Sequence, residues 1–194
     1  MYSLGPERLL GNLLLGHLST LEEVNTSARS GSFFLRSPDG VYMLKTLPSA
    51  EEEHFRLTLS EYYEHLRDNP HSLLSRVYGL HSLRYSGRSI TFIVMANLFS
   101  PHLTVHEQYD LKGSTIDRLI DVDDKETLTD IALKDMNLHR RIYLGHPRKA
   151  RLLEQVERDC KWLESRNVCD YSLLVGFHFS KKLMSSGGDA LNRS

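Results

Sequence analysis

Three short runs in this 194-residue chain combine residue types that handle phosphate. The first is Ser30-Gly31-Ser32, which opens a hairpin whose far strand carries Lys45. Small residues at a hairpin tip let peptide N–H groups come close to phosphate oxygens. A lysine on the neighbouring strand can set its ammonium beneath that tip, a recurrent way of holding nucleotide phosphates. The second run is Tyr109-Asp110-Leu111-Lys112-Gly113-Ser114-Thr115. If this segment is extended, Asp110 and Lys112 face the same side, and the Gly-Ser-Thr that follows suits a turn against a bound anion. The third is Cys169-Asp170-Tyr171-Ser172-Leu173-Leu174. It sets Asp170 between a helix and an apolar strand, where rigid elements on both sides can hold a base for phosphoryl transfer. Each run also has a plainer reading. A turn beside a lysine recurs by chance, Asp110 and Lys112 make a surface ion pair as readily, and Asp170 is equally a solvated connector carboxylate.

The elements that must position these residues follow from pattern. Phe33-Phe34-Leu35 and Val41-Tyr42-Met43-Leu44 flank Ser37-Pro38-Asp39-Gly40, strong turn chemistry that predicts a β-hairpin. Residues 51–68 read as a helix with Phe55, Leu59, Tyr62, Tyr63 and Leu66 on one face, and Asn69-Pro70 ends it. Val77 to Tyr85 and Ile90 to Met95 read as strands joined through Ser86-Gly87. The order strand, strand, helix, strand, strand predicts an α+β fold built on a mainly antiparallel sheet. Beyond residue 100, His102 to Leu111 reads as extended and Asp121 to Asp124 as a charged loop. Residues 149–166 form the clearest helix, with Leu153, Val156, Cys160 and Leu163 at helical spacing, and Tyr171 to Phe177 is an apolar strand. At the amino end, residues 1–24 read as one or two short helices bearing Leu9, Leu10, Leu13, Leu14 and Leu18, followed by a polar stretch. Lys181 to Ser194 reads as a disordered tail.

Composition bounds the function. With 40% hydrophobic and 25% charged residues the chain is an ordinary globular one, and its net charge of −1 is spread evenly over both halves. That excludes a polyanion binder working through a charged tail and argues against nucleic acid as partner. Cys160 and Cys169 cannot form a disulfide framework and stand in no zinc-like spacing, so reduced thiols of an intracellular protein are expected. The run Leu9 to Leu18 is broken by Gly11, Asn12, Gly16 and His17, too short to span a bilayer. One local imbalance stands out. Between Lys134 and Arg151 there are six basic side chains (Lys134, Arg140, Arg141, Arg148, Lys149, Arg151) and a single acid, Asp135. Such a stretch suits an anionic lipid surface, or is a solvated loop and helix start.

Taken together, the runs resemble the signature segments of the phosphatidylinositol phosphate kinases. Ser30-Gly31-Ser32-Phe33-Phe34, Met43-Leu44-Lys45-Thr46, Asp110-Leu111-Lys112-Gly113-Ser114 and Asp170-Tyr171-Ser172-Leu173-Leu174 occur in the family's order. Tyr62-Tyr63-Glu64-His65, Ile93 to Phe99 and Leu153 to Cys160 match as well, so the likeness covers about residues 18–178. The resemblance implies a two-lobed kinase-type α+β fold. Its domain would span about 18–180, with an N-lobe to about 100 and a partial C-lobe from 101 that holds the 149–166 helix. A 1–17 helical segment would precede it and a 181–194 tail follow. By the same resemblance Ser30, Gly31 and Ser32 cover the phosphates and Lys45 binds ATP, while Met95, Ala96, Asn97 and Leu98 form the hinge that receives adenine. Asp170 orients or deprotonates the inositol hydroxyl, Lys112 neutralises the transferring phosphate, and Asp110 positions that segment. ATP and magnesium are the implied cofactors. The implied substrate is a phosphatidylinositol monophosphate in an anionic membrane at the cytosolic face of the plasma membrane. Conversion of the 4-phosphate to the 4,5-bisphosphate is the family's commonest reaction, and a homodimer is open to it.

The sequence departs from the family pattern in three places. Cys169 stands where methionine is usual. The Ile-Ile-Asp segment whose aspartate holds magnesium is expected after the Tyr-Ser-Leu-Leu strand and is not found there. Leu119-Ile120-Asp121 precedes Asp170 and reads as a loop, so no metal ligand is assigned. The later activation loop is not found either, so the expectation is a kinase domain lacking its carboxy-terminal part. The alternative is a catalytically incomplete fragment or pseudokinase that binds nucleotide, lipid or a partner. Glu52, Glu53, Glu61 and Glu64 are the candidate partners of Lys45.

Overall fold

The Ser37–Gly40 turn closes its hairpin as the residue types demand. In the computed structural model, which describes residues 21–24, 32–85, 87–121 and 131–180, Ser37 Oγ donates to Asp39 Oδ1 at 2.7 Å. The same two side chains accept the N–H groups of Tyr42 (2.9 Å) and Val41 (3.1 Å), and Gly40 adopts a left-handed φ of +68°. The hairpin belongs to a five-stranded antiparallel sheet. Its strands are β1 (Glu22–Glu23), β2 (Phe34–Arg36), β3 (Tyr42–Leu47), β4 (Val77–Tyr85) and β5 (Arg88–Ala96), in spatial order β1-β2-β3-β5-β4. Alternation along β3 buries Tyr42 and Leu44, which form a core with Val94 packed round by Leu21, Leu35, Val41 and Phe92. Lys45, one position on, lies on the opposite face. Glu22–Glu23 is strand where helix was expected, while Leu9 to Leu18 fall outside the described residues.

Helix α1 (Ser49–Asp68) starts after Pro48, carries Glu51 and Glu52 in its first turn, and ends at Asn69. Helix α2 (His146–Ser165) follows Gly145 with a proline in its first turn. Both helices exist as their periodicity predicts, but their buried faces are rotated from the expected apolar stripes. On α1 the buried residues are Tyr62 and His65, whereas Leu59 and Tyr63 are exposed. On α2 the buried residues are Gln155 and Asp159, and Leu153 is exposed. The reason is a polar seam between the helices. Asp159 Oδ1 accepts from His65 Nε2 (2.7 Å), Ser72 Oγ (2.8 Å) and Gln155 Nε2 (3.0 Å), and Oδ2 accepts the Leu73 N–H at 2.7 Å. A buried carboxylate persists only when its lone pairs are met, and here four donors meet them. Trp162 packs beside it, 5.1 Å from the His65 ring and 6.2 Å from Tyr62. These contacts group α2 with α1.

A three-stranded sheet forms separately from β6 (Glu107–Leu111), β7 (Ala132–Lys134) and β8 (Leu173–Phe177), in order β7-β6-β8. β6 runs parallel to β7 and antiparallel to β8. Tyr109 and Leu133 are its buried residues, and the Phe177 ring meets Tyr109 edge-on at 5.6 Å. Only the second half of the expected 102–111 extended stretch is strand, and Leu119-Ile120-Asp121 is loop as predicted. The chain divides into two compact units, one drawing on Met1–Ser100 and Arg141–Cys169, the other on Pro101–Arg140 and Asp170–Ser194. The architecture is α+β.

Candidate active site

In the first unit Lys45 sits mid-ladder on β3, opposite Phe34 on one side and Ile93 on the other. Its Nζ lies 2.8 Å from Glu51 Oε2 and 5.9 Å from the centre of the Phe34 ring. Glu51 is none of the four glutamates expected. Glu52 pairs instead with Arg56, and Glu61 with Arg166. The cause is local: Pro48 alone separates the end of β3 from α1, so the helix's first turn stands beside the lysine. Proline suits a helix entry, so its position was the signal that placed Glu51 in reach.

Ser30 and Gly31 lie outside the described residues. Ser32 is half-buried two residues before β2, and its Oγ meets no hydrogen-bond partner among the described residues. Next to it, Phe33 N donates to Thr46 Oγ1 at 2.8 Å, tying this end of the hairpin to the residue after Lys45. Met95 and Ala96 end β5, and Asn97 and Leu98 follow it. The N–H groups of Ala96 and Asn97 go to Arg76 O and Val41 O, both at 2.8 Å. Asn97 also clamps the hairpin turn, Nδ2 donating to Gly40 O at 2.8 Å.

The second unit brings Lys112 and Asp170 together: the ammonium donates to Asp170 Oδ1. Lys112 follows β6, and Asp170 stands three residues before β8. Asp170 adopts φ +60°, a left-handed conformation uncommon outside glycine though favoured by Asp and Asn. Gly113, beside Lys112, is left-handed at +71°. The hydrogen bond and charge of Lys112, with Arg118 further off, hold the Asp170 carboxyl below the usual aspartate range. Asp110 and Lys112 pair with different residues. Arg118 donates to the Asp110 carbonyl and lies 3.6 Å from Asp110 Oδ2. Asp110 Oδ1 is buried and meets no partner among the described residues.

Two residues that sequence reasoning missed complete this loop. Asp135 Oδ1 accepts the N–H groups of Lys112 (3.0 Å) and Gly113 (2.8 Å), and Oδ2 accepts Arg118 Nε at 2.7 Å. Burial pushes the Asp135 carboxyl up, but the Arg118 guanidinium and the peptide donors outweigh it and hold the group low. Arg118 mirrors this: burial pulls it down and the two carboxylates raise it. Asp135 was detectable as the single acid in the basic stretch.

Of the six basic residues there, Lys134 donates to Asp117 O at 3.1 Å. Arg140 pairs with Glu107 at 2.7 Å and lies over Phe177 and Phe179, 5.0 and 4.9 Å from their ring centres. Arg141, Arg148, Lys149 and Arg151 are exposed. Among the described residues no three His, Cys, Asp or Glu side chains converge to hold a metal. The lone unpaired oxygen of Asp110 does not make a magnesium site. Also among the described residues, no helix is long and apolar enough to cross a membrane.

The family model described as phosphatidylinositol-4-phosphate 5-kinase matches residues 15–192. Among curated relatives, a probable phosphatidylinositol phosphate kinase of Dictyostelium discoideum is 39% identical over 189 residues, covering 95% of this chain and 26% of the relative. The phosphatidylinositol 4-phosphate 5-kinase of Plasmodium falciparum is 39% identical over 186 residues (91% of this chain, 11% of the relative). That of Schizosaccharomyces pombe is 41% identical over 162 residues (81% and 22%). The chain thus spans about a quarter or less of the length of these relatives.

Proposed function

Because the chain belongs to the phosphatidylinositol-4-phosphate 5-kinase family, we propose that it transfers the γ-phosphate of ATP to an inositol hydroxyl of a phosphatidylinositol monophosphate. The preferred reaction is 4-phosphate to 4,5-bisphosphate, as the names of several relatives indicate. The kinase domain extends over about residues 18–180. The observation that carries the reading is the Lys112–Asp170 pair, a carboxylate kept ionised beside a cation on two left-handed turns.

In this scheme Ser30, Gly31 and Ser32 cover the ATP phosphates, Lys45 grips them while Glu51 orients its ammonium, and the Met95–Leu98 segment receives adenine. Ala96 and Asn97 spend their N–H groups internally, so these two donors are not the ones that meet adenine. The inositol oxygen attacks the γ-phosphorus as the bond to ADP breaks, and its proton passes to the Asp170 carboxylate. Lys112 offsets charge on the transferring group, and Asp110 steadies the segment through Arg118. Such a reaction asks the protein chiefly for positioning and charge stabilisation. The exposed Arg141, Arg148, Lys149 and Arg151 meet anionic lipid at the cytosolic face of the plasma membrane, each contributing about 1 kcal/mol near the surface.

The test incubates the 194-residue chain with magnesium and labelled ATP on vesicles carrying each phosphatidylinositol monophosphate in turn. Label in a bisphosphate that disappears in Lys45→Met and in Asp170→Asn supports the reading and names the substrate. Absence of label from the unaltered chain overturns it for this chain.

A further inference from the structure

Lys112 lies where regular structure stops holding the backbone. β6 ends at Leu111, so the next two peptide N–H groups have no place in its ladder. One side chain, twenty-three residues further on, takes both. The second oxygen of that same carboxylate holds Arg118, whose guanidinium returns to the carbonyl of Asp110, two residues before Lys112. The contacts close a ring: Asp110 to Lys112 and Gly113, to Asp135, to Arg118, and back to Asp110.

Asp135 is itself held from both sides. It opens a 3-10 turn, Asp135–Asn137, and Met136 N donates to Arg118 O at 2.9 Å. Asn137 stitches the same two segments, its Oδ1 accepting Ile120 N (3.0 Å) and Lys134 N (3.2 Å) while Nδ2 donates to Ile120 O at 2.8 Å. With an exposed side-chain fraction of 15%, against 81% for Asp170, Asp135 is the sheltered acid of the two. Hydrogen bonds from charged donors, or to a charged acceptor, are about twice as strong as neutral ones, and all three bonds to Asp135 are of that kind.

We propose that Asp135 is the positioning residue for Lys112: its carboxylate fixes the Lys112–Gly113 turn and the Arg118 brace, and so sets the ammonium against Asp170. The inference rests on the lipid-kinase reading for its chemical consequence, but its structural part stands apart from it. Asp135 does not touch the reacting groups. It acts by deciding where the backbone of Lys112 lies, and a misplacement of about 1 Å in such a site lowers turnover on the order of a hundredfold.

The test uses the full chain with Asp135→Ala and Asp135→Asn. Alanine removes both halves of the brace. Asparagine keeps an oxygen for the peptide N–H groups but turns N–H donors towards Arg118. The first readout is the carboxyl titration of Asp170, followed by carbon-13 NMR. In the unaltered chain its midpoint lies below the ordinary aspartate value, about 3.9. It is expected to rise towards that value in both variants, further in alanine, because the Lys112 ammonium is no longer held nearby. A role confined to general folding would leave that midpoint in place. The second readout is turnover on phosphatidylinositol 4-phosphate vesicles, expected to fall on the order of tenfold to a hundredfold with the KM for ATP unchanged.

If Asp135→Ala does not fold, Asp135→Asn decides alone. A midpoint unmoved in the folded variants overturns the positioning role. An unaltered chain that forms no bisphosphate overturns the functional reading instead, and the titration still decides the role of Asp135.

Discussion

Two lysines of the candidate site, Lys45 and Lys112, are held in opposite ways. Lys45 and Lys112 have the same side-chain exposure, 24%, and each pairs with one carboxylate. Lys45 stands in the middle of a ladder, bonded to β2 and β5, and its partner Glu51 is on a regular helix. Lys112 stands past the end of a strand, its neighbour Gly113 and its partner Asp170 are both left-handed, and its backbone rests on a side chain. Repetitive structure positions the first, a few polar contacts the second. A charge held by a ladder is hard to displace by one substitution, whereas one held by a single carboxylate is easy to displace.

That difference can be sharpened by experiment. The largest effect is expected from Asp170→Asn, which removes the proposed proton acceptor and is expected to cut turnover about 10²–10⁴-fold in the vesicle assay. Its melting temperature should hardly change, because asparagine also tolerates left-handed φ. A melting temperature that falls with the activity would show that Asp170 is there for the fold. Next comes Leu44→Ala, beside Lys45, expected to cost about 2–5 kcal/mol in denaturant titration. The Asp170 titration should not follow it, and if it does, the two anchors are not independent.

Smaller still is Gly113→Ala. Among the described residues, no atom beyond its chain neighbours lies within 4 Å of the added methyl, so the cost is that of left-handed φ, about 1–2 kcal/mol. Calorimetry showing no loss would mean that the turn relaxes easily and that Asp135 has little to hold. The smallest effect is that of salt and acid on the Lys112–Asp170 pair. Lys112 lowers the pKa of Asp170 in the folded chain, so its stabilising contribution is complete above the unfolded value. It is lost as pH falls through the lowered folded value. The Asp170 midpoint should therefore move upward in 1 M salt, where charges are screened beyond about 3 Å. A midpoint indifferent to salt would mean that hydrogen-bond geometry, not charge, sets it.

The same contrast explains what could be read before the structure. The hairpin, both long helices and the Lys45 strand were legible, because alternation and helical spacing repeat along the chain and turn residues mark the ends. Glu51 stands one position before the first of the expected glutamates, because α1 begins at Ser49, directly after Pro48. The buried faces of α1 and α2 were misread because Asp159 and Gln155 look like solvent-facing residues until their partners are known. Asp135 showed only as the one acid of the basic stretch and Arg118 not at all: contacts between residues 17 to 23 positions apart have no period to detect. Lys112 and Asp170 stood out by residue type and took their expected roles from the family likeness, yet neither disclosed what holds them.

The carboxylate of Asp159 also sets a schedule for synthesis. His65 and Asp159 are 94 positions apart, and a ribosome adds about 5–20 residues per second, so roughly 5–20 s separate them. During that interval α1 can be hydrogen-bonded from end to end while Tyr62 and His65 lack Trp162 and Asp159 above them. The helix must then await its cover with its inner face wet or in the care of a chaperone. Slower codons between the two positions would lengthen that wait, and faster ones would shorten it.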